Sequence, residues 1–341
     1  MHDSPTPKIE LHVHLEGAVR PPILLEMARR NGVALPADNE ADLARLYRFR
    51  DFEHFLSLWM MTTTAIQTER DFRQVVVSYA AEAAAQGAVY IEGIFTPAER
   101  ISGGATFDEV FAGFCDGALE AKESFGIEVR LTPDIPRSFG LEAAIETVRH
   151  AVKYKERGVV GVGLGGPEDG WPPEPFARAF QLAREGGIGS VPHAGEVVGP
   201  ASIRGALDAL GADRIRHGIR SVEDAGLLRE LAAREIVCDV CPVSNVCTRA
   251  VGSLEEHPLP QMLAAGVLCS ISTDDPAMFG TDLNREYEVA DRLGCSPQRA
   301  YVAGVRGALC DDLTRTRLRD IGTAFAWSTH APPTVEEASI E

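Results

Sequence analysis

Five short polar islands constrain this chain more than any other feature: His12-Val13-His14, His193-Ala194-Gly195-Glu196, Arg216-His217-Gly218, Cys241-Pro242-Val243-Ser244-Asn245 and Ser272-Thr273-Asp274-Asp275-Pro276. All fall where parallel strands would end. Residues 12, 14, 193 and 274 can meet only if successive strands deliver them to one mouth, where three imidazoles and a carboxylate make a zinc-type donor set. The pattern reads as a metal-dependent hydrolase.

The strands that would carry these islands are compact apolar runs. They are Ile9 to Val13, Ala88 to Phe95, Glu128 to Pro133, Val159 to Leu164, Ile188 to Pro192, Ile215 and its neighbours, Ile236 to Val240, and Val267 to Ile271. Helical stretches separate them. Alternation of buried strands with amphipathic helices implies a parallel sheet covered outside, and eight units over about 250 residues point to a closed (β/α)8 TIM-type barrel. The competing topology is a doubly wound open sheet, which usually brings a Gly-rich phosphate turn after its first strand; here that turn reads His-Leu-Glu-Gly. The Gly161 to Gly166 run lacks the Lys-Ser/Thr and helix opening of a P-loop.

Extra helices are expected after strand 1, where Pro21-Pro22 opens a pattern ending near Asn31-Gly32. Phe52 to Gln86 runs without Gly or Pro and reads as two helices broken near Thr68. Further helix is expected beyond Ser296 to about Phe325. The whole chain, 1–341, reads as one domain, with a core over 7–325 and a frayed tail over 326–341.

A formal net charge of -17 over 341 residues disfavours a surface built for nucleic-acid phosphates or anionic lipid. No signal-type leader or span of about 18 apolar residues is visible, so the expected location is cytoplasmic, with a small-molecule partner. Seven scattered cysteines suit reduced thiols better than a disulfide framework. Cys238, Cys241 and Cys247 form no evident four-ligand structural set.

His12 and His14 sit two apart on a strand, so their side chains leave on one face. Alone, such a pair is weak evidence. Glu196 follows His193 by three residues across a glycine, a separation that suits an acid/base group near a metal, although a solvated loop Glu has the same spelling. Asp274 and Asp275 point in different directions, so one can bind metal while its neighbour faces substrate; the ordinary use of Asp before Pro is a turn or helix cap. His217 is placed to donate to an oxygen nucleophile or a developing oxyanion, the plain alternative being a buried histidine bonded to backbone. The plain readings do not require all the islands to end strands of one barrel. A two-metal site would normally add a bridging carboxylate or modified lysine after the fourth strand, and Val162 to Gly166 supplies neither, so one Zn2+ per chain is expected.

With these residues assembled, the chain resembles the adenosine deaminase family of the amidohydrolase superfamily from Pro7 to about Phe325. The Pro-Lys-Ile-Glu-Leu-His-Val-His-Leu-Glu-Gly start, His-Ala-Gly-Glu, Arg-His-Gly and Ser-Thr-Asp-Asp-Pro carry the likeness. The resemblance implies zinc held by His12, His14, His193 and Asp274, with Glu196, His217 and Asp275 as the catalytic groups. It also implies hydrolytic deamination of a 6-aminopurine nucleoside to the 6-oxopurine and ammonia. Substrate contacts are expected from His14, Glu16, Gly166, Asp275, Phe55 and Trp59. Glu16 stands where classical members place Asp toward the ribose, and Gly163-Leu164-Gly165-Gly166 where they read closer to Asp-Leu-Ala-Gly. These departures point to bacterial branches that deaminate adenine or aminodeoxyfutalosine, an adenosine-like nucleoside. Adenine deamination, another barrel hydrolase chemistry and a purine-binding protein without activity stand as alternatives. Arg48, Arg50 and Arg137 are candidates for a substrate carboxylate.

Overall fold

The computed structural model describes residues 5–327, and within them ten short parallel strands build one barrel wall. They are β1 Lys8–His14, β2 Ala88–Ile94, β3 Glu128–Leu131, β4 Asp134–Pro136, β5 Gly161–Gly165, β6 Gly189–Ser190, β7 His193–Ala194, β8 Arg214–His217, β9 Val237–Val240 and β10 Leu268–Ile271. Hydrogen-bonded neighbours run β1-β2-β3, β4-β5-β6 and β10-β9-β8-β7. Two interruptions come at Pro133 and Pro192, which have no N–H to give a ladder, so β3 with β4 and β6 with β7 serve as single staves. The barrel therefore has the eight staves expected from the apolar runs.

Closure is made between the first and last staves. Val13 pairs with Asp274 in a parallel bridge, Asp274 N–H donates to His12 O at 3.1 Å, and His14 N–H donates to Asp274 O at 2.7 Å. The open-sheet alternative is thereby excluded. The helices fall largely as expected: Pro21–Asn31, Phe52–Thr63, Glu69–Ala85 with a Thr68/Asp71 capping box, and Pro297–Gly307 with Asp312–Ala324 at the end. The helix Glu40–Leu46 was not evident from periodicity. Residues 328–341, most of the expected frayed tail, lie outside the described residues. Among the described residues, no helix is long and apolar enough to cross a membrane.

Behind the apolar staves the barrel interior is more charged than a run-by-run reading suggests. β8 alternates Arg-Ile-Arg-His, and its two arginines are fully buried. Arg214 donates to Glu92 Oε2 at 2.7 Å and Asp239 Oδ2 at 2.5 Å, while Arg216 pairs with Asp134 and donates to Thr132 Oγ1 at 2.7 Å. A buried charge is tolerated only when paired, and these pairs cross-link four staves. Space for them comes from β5: a Cβ on Gly163 would collide with Asp134 Oδ1 and the Arg216 guanidinium, and one on Gly165 with Asp134 Oδ2. The glycine run that superficially resembles a phosphate loop thus serves to leave the barrel axis empty for an ion pair. Gly163→Ala should destabilise the fold by about 2–4 kcal/mol through overpacking and loss of the buried pair, read from the shift of a urea unfolding midpoint.

Candidate active site and metal centre

At the C-terminal mouth of the barrel, His12 and His14 leave β1, His193 leaves β7, and Asp274 follows β10. Their ligand atoms lie within 4.8 Å of one another. The individual edges are 3.1 Å from His193 Nε2 to His12 Nε2, 3.2 Å from His193 Nε2 to His14 Nε2, and 3.4 and 3.3 Å from Asp274 Oδ1 to His12 and His14 Nε2. Neighbouring donors bound to one ion at about 2.0–2.2 Å lie about 2.8–3.6 Å apart, so the spacing fits a zinc-sized cation.

The protonation of the donors fits too. Burial lowers the pKa of His12 and His193 well below the usual imidazole range and lowers that of His14, so the rings are neutral at pH 7. His193 Nδ1 faces Leu164 O at 3.1 Å, an acceptor that puts the ring proton on Nδ1 and turns the bare Nε2 lone pair toward the cluster, while His12 Nδ1 lies 3.7 Å from Cys241 Sγ. Burial would raise the carboxyl of Asp274, but the histidines around it outweigh that and hold it well below the carboxylate range. Ser244 Oγ donates to its other oxygen at 2.6 Å. Asp274 and His217 are also non-glycine residues with φ of +64° and +63°, a costly backbone state.

Around this cluster stand the expected acid/base groups. Glu196 lies 3.4 Å from His217 Nε2, and its carboxyl is raised well above the usual range by burial and by the charges of Asp274 and Glu168. His217, lowered to about 4 by burial, is neutral. Asp275 is likewise raised, by burial and by Asp274, and accepts from Trp59 Nε1 at 2.7 Å. Gly17 has no room for a side chain beside Asp275 Oδ1.

These groups line an open cavity together with Phe55, Trp59, Met60, Glu99 and Gly166. The helix Phe52–Thr63 forms its apolar wall. Glu16 is not among the lining residues: one carboxylate oxygen accepts from Thr96 N–H at 2.8 Å, and Thr96 itself borders the cavity. Arg137 faces backbone, donating to Trp171 O at 2.6 Å and His193 O at 2.7 Å, while Arg48 and Arg50 are exposed and are not among the lining residues. Cys241 approaches His12, but Cys238 and Cys247 join no metal-type cluster among the described residues.

Sequence reasoning missed the residue that holds the Glu196 turn. The buried Glu168 carboxylate accepts from the backbone N–H groups of Gly195, Glu196, Val197 and Val198 at 2.6, 3.2, 2.9 and 2.9 Å. Arg137 grips the same turn through His193 O. The only signal in the sequence is an acidic residue directly after Gly166-Pro167.

Fold and site together define a barrel of the hydrolase type whose mouth gathers a candidate metal-ligand cluster beside two further buried carboxyls and an imidazole. Residues 7–322 match the adenosine deaminase family model. The chain is 49% identical over 330 residues, 95% of this chain and 93% of the other, to the aminodeoxyfutalosine deaminase of Acidothermus cellulolyticus. The adenine deaminase structure from Arthrobacter aurescens superposes with a TM-score of 0.88 at 33% identity, covering 93% of this chain and 98% of that one. A zinc-bound amidohydrolase from Burkholderia ambifaria superposes at 0.83 with 26% identity, over 93% of this chain and 89% of that one. The chain belongs to the adenosine deaminase family, and is an enzyme acting on C–N bonds of cyclic amidines.

Asp274→Asn and His193→Ala should each lower bound metal to well below one ion per chain by elemental analysis. Because metal binds only the folded cluster, chelation should also lower the melting temperature of the native protein.

Proposed function

We propose that the chain is a zinc-dependent deaminase of 6-aminopurine nucleosides, adenosine or an adenosine-like nucleoside modified at its 5' end, working as a single barrel unit. The observation that carries this is the meeting of Glu196, His217 and Asp275 beside a four-donor cluster, at the foot of a cavity walled by Phe55 and Trp59. His12, His14, His193 and Asp274 would hold one zinc ion, which when bound lowers the pKa of water toward neutrality.

The chain's own groups do the rest. The raised pKa of Glu196 keeps its carboxyl protonated, so it can hand a proton to purine N1 as water oxygen adds to C6. His217 supports that oxygen, and Asp275, held by Trp59, orients the nucleophile or accepts from the ring. Gly166, with φ +85° and no side chain, lets its backbone N–H approach N3. One proton of the water replaces the one Glu196 gave up, the other passes to the exocyclic amine, and ammonia leaves with the 6-oxopurine remaining.

The cavity lining adds a restriction on the substrate. It includes Glu99, Asp134, Glu168, Glu196, Asp274 and Asp275, and no Lys or Arg among the described residues. A 5'-phosphate would enter a carboxylate-lined space with no cationic side chain to receive it. The likeness to adenine deaminases supports a second reading, hydrolysis of the free base, and one ammonia-release panel separates the two. Adenosine and 5'-extended nucleosides should be turned over, adenine poorly, and AMP with kcat/KM lower by about 100-fold or more. Preference for adenine would overturn the nucleoside reading, and tight purine binding without ammonia would overturn the enzyme. Glu196→Gln should lower kcat by about 10²–10⁴ while leaving the unfolding midpoint and zinc content near those of the parent protein.

A further inference from the structure

Behind His217 runs a line of hydrogen bonds that the proposed chemistry leaves unused. Leu259 N–H donates to His257 Nδ1 at 3.1 Å, His257 Nε2 lies 3.2 Å from Asn245 Oδ1, and Asn245 Nδ2 lies 3.2 Å from His217 Nδ1. His257, Asn245 and His217 are 3%, 0% and 1% exposed, so water is not available to satisfy a misdirected group. The loop after the helix Pro242–Cys247 folds back to make the contact, with Val251 N–H donating to Asn245 O at 2.8 Å and His257 N–H to Leu254 O at 3.1 Å.

The polarity of this line follows from its far end. A backbone amide only donates, so His257 Nδ1 carries no proton and the neutral ring keeps its single proton on Nε2. Burial and the neighbouring His217 lower His257 to about 4, consistent with a neutral ring. His257 Nε2–H therefore donates to Asn245 Oδ1, which leaves the Asn245 amide N–H to donate to His217 Nδ1. His217 then bears its proton on Nε2, facing Glu196 Oε2 at 3.4 Å and Asp274 Oδ2 at 3.8 Å. Reversing any one bond would set two N–H groups or two lone pairs against each other in a dry interior.

We propose that His257 and Asn245 are positioning residues that lock His217 in the Nε2–H tautomer, so that it meets the reacting oxygen as a hydrogen-bond donor and not as a base. This rests on the reading above that His217 borders that oxygen. In serine hydrolases a carboxylate accepts from Nδ1–H of the reacting histidine and so bares Nε2 to act as base. Here an amide donor stands at the corresponding place, and the ring is turned to the opposite chemistry. Asn245→Asp is nearly isosteric and exchanges that donor for an acceptor, which draws the His217 proton onto Nδ1.

The test uses the zinc-loaded protein with 15N-labelled histidine, His217 being identified by its loss in His217→Asn. In the parent protein its Nε2 should be protonated and Nδ1 bare. In Asn245→Asp Nδ1 should carry a proton, and kcat should fall by about 100-fold or more with KM and zinc content little changed. His257→Leu should lower kcat by roughly 10-fold, and His257→Gln, whose amide can still donate to Asn245, should recover most of it. A proton on Nδ1 of His217 in the parent protein overturns the proposal, as does an Asn245→Asp protein with unchanged tautomer and kcat. Should Asn245→Asp not fold, a His257→Leu protein that keeps the parent tautomer and kcat overturns it equally. The spectrum of the parent protein needs no substrate, so a wrong substrate assignment and a wrong relay give different results.

Discussion

The parallel bridge between Val13 and Asp274 is the contact on which the rest depends. It joins the first stave to the last, and the two hydrogen bonds flanking it involve His12, His14 and Asp274 themselves. Barrel closure and assembly of three of the four candidate ligands are therefore one event. A sheet left open at this seam would keep its apolar runs and its helices, yet would hold His12 and Asp274 on opposite edges. His193 and His217 join from β7 and β8, whose pairing registers His193 with Arg216 and Ala194 with His217.

Electrostatics in the barrel divide into two levels with opposite logic. Below the mouth, arginines 214 and 216 meet carboxylates 92, 239 and 134 in pairs that offset one another's burial. At the mouth, Glu196, Asp274 and Asp275 have no cationic side chain to balance them, and two of the three carboxyls are pushed upward by burial and mutual repulsion. The lower level is balanced pair by pair, and Asp134 links it to the mouth, its Oδ2 lying 3.4 Å from His193 Nδ1. The upper one is short of positive charge, which is the physical reason that a divalent cation and a protonatable purine suit it.

Much of this was legible in the chain. Eight apolar runs became eight staves because β-branched and aliphatic runs bounded by Gly and Pro have few other ways to be buried. The polar islands could be placed because strand ends of a barrel converge. What stayed hidden were residues whose meaning depends on distant partners: Glu168 serves a turn more than twenty residues away, Arg137 serves His193, and Trp59 bonds Asp275 across 216 positions. His257 was similarly silent, since a histidine before Pro258 announces nothing until Asn245 is seen beside it. Asn245 was quoted within an island, but its amide direction belongs to tertiary structure alone. Gly163 and Gly165, in turn, made sense only once the ion pair of Asp134 and Arg216 was seen occupying the room they leave.

The bond from Trp59 to Asp275 makes the wall of the cavity part of its chemistry. That indole belongs to the helix Phe52–Thr63, whose Met60 is half exposed at the rim, while the carboxyl it holds sits next to a candidate metal ligand. A guest that wedges the helix outward must break this contact, and so alters the proton inventory beneath it. How bulky a molecule the rim admits and how readily the floor reacts are thus tied by a single N–H.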